Sequence, residues 1–123
     1  MISKNMQTIL DIGLVPLIVL DDAAQAVPFG QALVAGGIPI AEVTFRTDAC
    51  LDTIRAMAQH VPGLIVGAGT VHNVAQAEAA VRAGATFIVT PAFNPAVTEW
   101  CLRNHIDIPV SYTHLTLPTN SLV

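Results

Sequence analysis

Apolar residues gather in short runs at 15–20, 40–45, 64–69 and 87–90, and another opens at 108–110; each predicts a β-strand. Between them, Ala-rich stretches carry apolar residues at helical spacing: Leu51, Ile54 and Ala58 in one, Val74, Ala77 and Val81 in the next. The punctuation agrees. Helix starts are expected after Asp22, Asp48, Asn73 and Asn94, whose side chains can accept the free amides of a first turn, and Pro95 suits a first helical position. Helix ends are expected near Gly36-Gly37, Gly63 and Gly84, where glycine closes the turn at little cost. Repeated strand–helix units predict an α/β fold with a parallel sheet and right-handed crossovers.

Two architectures fit that repeat: an open doubly wound sheet and a (β/α)8 TIM barrel. The turn after the first strand is Asp21-Asp22, not the glycine-rich turn of a dinucleotide-binding sheet. In the 40–47 run, period-two alternation puts Glu42, Thr44 and Arg46 on one face and Ala41, Val43 and Phe45 on the other. A parallel sheet normally buries both faces, so a carboxylate and a guanidinium facing inward need a partner or a ligand. A strand-face ion pair between Glu42 and Arg46 is the plain alternative. Polar residues facing inward near strand ends favour the barrel, whose sites collect at the C-terminal ends of its strands. The chain then covers about the first four βα units.

Composition removes several function classes. The 123 residues are 53% hydrophobic and 11% charged, with a formal net charge of −4 and no basic cluster, so nucleic acid and anionic membrane are not expected partners. The longest apolar run, 12–20, is too short to span a bilayer and contains Gly13 and Pro16. No signal-peptide pattern opens the chain, and the cytoplasm is the expected location. Cys50 and Cys101 lie in helix-like segments and read as small buried hydrophobes. His60, His72, His105 and His114 are scattered, so no metal site is expected.

The strand E-V-T-F-R-T at 42–47, followed by I-V-G-A-G-T-V at 65–71 and preceded by A-L-V-A-G-G at 32–37, resembles the bacterial 2-keto-3-deoxy-6-phosphogluconate and 4-hydroxy-2-oxoglutarate aldolases. The likeness runs from about Met6 to Val110. It implies a class I aldolase on a (β/α)8 barrel, typically a homotrimer. Such an enzyme joins a lysine to a small keto acid as a Schiff base and releases pyruvate without a cofactor. By the same resemblance, Glu42 matches the catalytic glutamate and Arg46 the substrate-carboxylate binder. Thr70 lines the pyruvate pocket, and Pro91 stands in the pocket wall. Each role suits its chemistry: a carboxylate beside an imine can move protons, and a guanidinium fork matches a planar carboxylate. An arginine near Glu42 would also keep that carboxylate ionised. Taken alone, Thr70 reads equally as a strand-end hydroxyl capping the next helix. Gly67 and Gly69 let backbone approach closely, but His72 stands where a third glycine would complete a dinucleotide fingerprint. His72 and Trp100 read as loop and helix-packing residues.

The resemblance puts the Schiff-base lysine on a sixth strand, and Lys4, the only lysine here, precedes the first. Lys4 is expected in a mobile, wet terminus where its amine stays protonated. This chain by itself is therefore expected to be inactive. The stretch 111–123 has no charged residue and no strand–helix rhythm, and V-S-Y-T-H-L-T-L-P-T at 110–119 resembles a translated transposon-end sequencing adaptor. Two regions are expected: 1–110, the N-terminal half of an aldolase barrel, and 111–123, a non-native read-through tail. Two rival readings remain: a related keto-deoxy sugar acid aldolase, and a non-catalytic half-barrel that assembles with a partner.

Overall fold

A computed structural model describes residues 3–108. The 109–110 part of the last strand expectation, and the whole 111–123 tail, lie outside the described residues. Helix α1 (Lys4–Ile12) comes first, followed by β1 (Leu17–Ile18), α2 (Ala26–Ala35), β2 (Ile40–Thr44), α3 (Cys50–His60), β3 (Ile65–Gly69), α4 (Val74–Ala83), β4 (Phe87–Ile88) and α5 (Pro95–Arg103). All strand pairs are parallel and the strand order is β1-β2-β3-β4. A doubly wound sheet reverses its order at a switch point. Here the order follows the chain without reversal, as in consecutive units of a barrel. A parallel bridge from Phe87 to Asp107 continues the series.

The two faces of the sheet are covered differently. Ile18, Ala41, Val43, Val66, Ala68 and Ile88 point to one face and form a single core with Ala26, Ile54, Met57, Ala77, Ala80, Val97 and Cys101 from α2–α5. The other face is the barrel's inner one. Near the strand starts, Ile40 and Phe87 pack there with Ile9 of α1, joined by Ile12, Val15, Ile65 and Val89. Helix α1 thus closes the N-terminal end of the inner face by burying an apolar edge.

Local chemistry explains most boundaries. Asn73 accepts from the Gln76 amide at 2.8 Å and Asn94 from the Val97 amide at 3.1 Å, so both cap as expected. Asp22 accepts from the Ala24 amide and opens a short 3-10 turn (Ala23–Gln25) that runs into α2. Asp48 caps nothing: α3 starts after Ala49, with no side-chain cap. The stripe on α3 also differs from expectation, since Cys50, Thr53, Ile54 and Met57 are buried while Ala58 is exposed. Gly84 does close α4, with φ +122 and Ala58 Cβ crowding the place of a side chain. The expected loose N-terminus is instead ordered helix. Ser3 caps α1 by accepting from the Met6 amide at 3.0 Å, and Gly13 ends it at φ +74 with its amide on the Ile9 carbonyl. Lys4 is exposed in its first turn.

Candidate active site

Strand β2 carries a buried charged residue, Glu42, on the inner face. In register, Glu42 pairs with Gly67 and Thr44 with Gly69, so the two strands bring a carboxyl and a hydroxyl opposite two residues without side chains. Those glycines serve different neighbours. A Cβ on Gly67 would strike the Phe87 ring, which fills that space from β4. A Cβ on Gly69 would strike Glu42 Oε2 and lie 2.8 Å from its Cδ, so the Glu42 side chain leans along the sheet toward the C-terminal end of β3. The glycines of G-A-G are therefore cradles for an aromatic plug and for a carboxylate.

Glu42 is 8% exposed, and among the described residues no side chain hydrogen-bonds its carboxylate. Burial pushes its pKa from 4.5 up to about 7, and the Arg46 charge only partly offsets this. The expectation that arginine would hold Glu42 ionised is corrected: desolvation outweighs the nearby cation. The strand-face ion pair does not form either. β2 ends at Thr44, Arg46 lies exposed in the following turn, and the salt bridges among described residues are all between other side chains. A carboxyl poised near 7 can both take and give a proton at neutral pH, and an unpaired guanidinium at the strand end can receive an anion.

The surrounding loops all leave the C-terminal ends of the strands. Thr47 donates from its hydroxyl to the Leu20 carbonyl at 2.7 Å, tying the β2–α3 turn to the end of β1. Asn94 Nδ2 donates to the His72 carbonyl at 2.9 Å and joins the next two loops. Thr70 follows Gly69 at φ +58, a left-handed conformation that a β-branched residue adopts only at a cost. Its hydroxyl does not cap α4, because Asn73 holds that position and Gln76 accepts from the His72 amide. Thr70 is half-buried at the rim, and Pro91 is exposed in the β4–α5 loop, next to Thr90, whose hydroxyl donates to the Ala92 carbonyl. Thr70 and Pro91 thus both lie in loops at the same end of the sheet as Arg46. His72 sits in the loop before α4, and Trp100 packs half-buried on α5.

Sequence reasoning passed over Thr44 and Thr47 as site residues. Thr44 shared the face of Glu42 by alternation, which was the available signal. Thr47 had none, because its partner is a carbonyl 27 residues away.

Other reactive groups stand apart. Cys50 and Cys101 are buried in helices, and burial pushes both thiols up to about 11. Among the described residues no three His, Cys, Asp or Glu side chains gather as a metal cluster, and no helix is long and apolar enough to cross a membrane. Lys4 lines a cavity of about 340 Å³ with Ser3, Thr86, His105 and Asp107, at the N-terminal end of the strands. That is the opposite end from Arg46 and Thr70.

The family description "KDPG and KHG aldolase" matches residues 6–113. The KHG/KDPG aldolase of Escherichia coli is 49% identical over 100 residues, which cover 80% of this chain and 45% of that protein. The crystal structure of the 2-keto-3-deoxy-6-phosphogluconate aldolase of Zymomonas mobilis superposes with a TM-score of 0.72 at 38% identity, covering 76% of this chain and 45% of that one. A Legionella pneumophila KDPG aldolase, with pyruvate captured as a covalent carbinolamine, matches with a TM-score of 0.72 at 32% identity over 76% of this chain and 46% of that one. The chain spans about half the length of the curated relatives it matches.

Proposed function

The chain belongs to the KDPG and KHG aldolase family, and we propose that it supplies the proton-handling half of a class I aldolase site. The reaction proposed for the whole protein is reversible cleavage of 2-keto-3-deoxy-6-phosphogluconate to pyruvate and glyceraldehyde 3-phosphate. Cleavage of 4-hydroxy-2-oxoglutarate to pyruvate and glyoxylate is proposed beside it. One observation carries the reading: Glu42, buried over Gly69 with its pKa near 7, faces inward at the end of the sheet where Arg46 stands without an ion pair among the described residues.

In the proposed mechanism Arg46 holds the substrate carboxylate, leaving the adjacent keto carbon toward Glu42. Attack by a lysine amine on that carbon gives a carbinolamine, and loss of water gives the imine. Glu42 takes a proton from the attacking amine and returns one to the departing hydroxyl. It then takes the proton of the hydroxyl on the carbon being cleaved, so that this carbon leaves as an aldehyde and the bonding pair stays in the pyruvate enamine. It returns the proton to the enamine carbon before water releases pyruvate from the lysine. A carboxyl titrating near 7 suits both directions. Thr70 is proposed to line the pyruvate pocket and Pro91 to form part of its wall. The protein is proposed to act in the cytoplasm, as a homotrimer when complete and without a cofactor.

Lys4 does not fit the amine's role. It is exposed on α1, beside a cavity at the wrong end of the strands. Incubating the 123-residue chain with pyruvate and borohydride should therefore trap no adduct. The polypeptide of the complete gene should trap pyruvate on a lysine outside residues 1–110. An adduct on this chain would overturn the inactivity proposed for it, and none on the complete polypeptide would overturn the aldolase reading.

A further inference from the structure

Thr44 is 2% exposed, and its Oγ1 has no hydrogen-bond partner among the described residues. Burying an unpaired hydroxyl on a strand is costly, and valine would fill the same space without that cost. Two loop threonines are satisfied: Thr47 donates to the Leu20 carbonyl and Thr90 to the Ala92 carbonyl, each at 2.7 Å. Thr53 and Thr98 are also unpaired, but they belong to α3 and α5, on the helix side of the sheet. Thr44 is the unpaired hydroxyl that shares the inner face with Glu42.

Its surroundings are specific. Thr44 pairs in register with Gly69, the residue over which the Glu42 carboxylate lies, so hydroxyl and carboxylate both neighbour the same glycine without hydrogen-bonding each other. Along the chain Thr44 stands between the group with the proton and the group with the positive charge. Alternate residues of a strand are about 6.6 Å apart, whereas the carboxylate and keto carbon of a 2-keto acid are bonded neighbours. A keto acid reaching from Arg46 toward Glu42 must pass across Thr44. A hydroxyl can turn its hydrogen toward such an anion, and no described residue hydrogen-bonds it.

We propose that Thr44 is a positioning residue of this site, donating its hydroxyl hydrogen to the carboxylate of a bound 2-keto acid and fixing how the keto carbon meets Glu42. The inference rests on the aldolase reading above. It is tested in the polypeptide of the complete gene with Thr44→Val, which replaces the hydroxyl by a methyl group of similar size, and Thr44→Ser, which keeps the hydroxyl and loses the methyl. Thr44→Val should raise KM for the keto acid roughly tenfold or more, since a hydrogen bond to a charged group is lost, while its melting temperature stays level or rises. Thr44→Ser should keep most of the wild-type KM, and the pH profile of kcat should stay where Glu42 sets it. A wild-type KM in Thr44→Val would overturn the proposal, as would equal losses in both variants or a fall in melting temperature that tracks the lost activity. Wild-type protein without aldolase activity would sink the aldolase reading itself and this inference with it. An active wild type beside an unaffected Thr44→Val would sink the inference alone.

Discussion

The two ends of the sheet's inner face are built from the same strands, yet they do opposite things. At the N-terminal end, Ile40 and Phe87 meet Ile9 of α1 and are buried together. At the C-terminal end, Glu42, Thr44 and Gly69 leave a buried carboxyl and a buried hydroxyl without hydrogen-bond partners among the described residues. Only one residue of β2, Ala41, separates Ile40 from Glu42. One end gains stability by burying apolar area, and the other spends part of that stability to keep polar groups ready. The plug makes the site affordable, because the α1 contacts hold the strands whose other ends carry unpaired groups.

The strongest way to break this contrast is to remove the plug. Phe87→Ala deletes a ring that is 1% exposed and rests on Gly67, and should destabilise the protein by about 3–5 kcal/mol in urea unfolding. A loss well below that range would mean that the lower end is not a packed core.

The next effect has the opposite sign and depends on pH. Glu42 titrates near 7 in the folded chain and near 4.5 when unfolded, so the folded state holds its proton more tightly. Its contribution to stability is intact below about pH 4.5 and is lost as the pH climbs through 7. Glu42→Gln, with no proton to lose, should match wild type at pH 4 and exceed it at pH 8 by no more than about 3 kcal/mol. Equal stability of the two proteins at pH 8 would show that the carboxyl is not strained by burial.

The finest comparison sets the two glycines of β3 against each other. Gly67→Ala pushes a methyl into the boxed-in Phe87 ring and should cost about 1–3 kcal/mol. Gly69→Ala meets Glu42 from its Oε2 back to its Cγ, so that side chain must shift as a whole. No ring or backbone is struck, and the cost should be about 1 kcal/mol, below that at Gly67. In the complete protein the same change should displace the proton-handling carboxylate and reduce kcat. Equal stability losses at both glycines would erase the distinction between plug and site.

Much of the fold was legible before the structure. The four apolar runs mark the four strands, although β1 and β4 pair over only two residues each, because their flanking residues turn into loops. Asn73 and Asn94 announced their helices because a cap is a local bond three residues long. Asp48 misled for the same reason: its type permits a cap, but the chain turns once more before α3 begins. Helix α1 was not legible, since Ile9 and Ile12 gain their meaning from Ile40 and Phe87, far along the chain.

The candidate site divides in the same way. Alternation alone put Glu42, Thr44 and Arg46 on one side, because side chains of a strand point to opposite faces in turn. The likeness in the E-V-T-F-R-T and G-A-G-T-V segments supplied the chemistry those residues were expected to serve. The protonation of Glu42 came from tertiary structure, because desolvation depends on everything packed around a carboxyl and not on the arginine four residues away. So did the separate duties of Gly67 and Gly69, which look identical in sequence and face different neighbours across the sheet. Sequence determines what each residue can offer and which way a strand turns it. Packing decides which offers are taken up by the protein, and which, like those of Glu42 and Thr44, are left open.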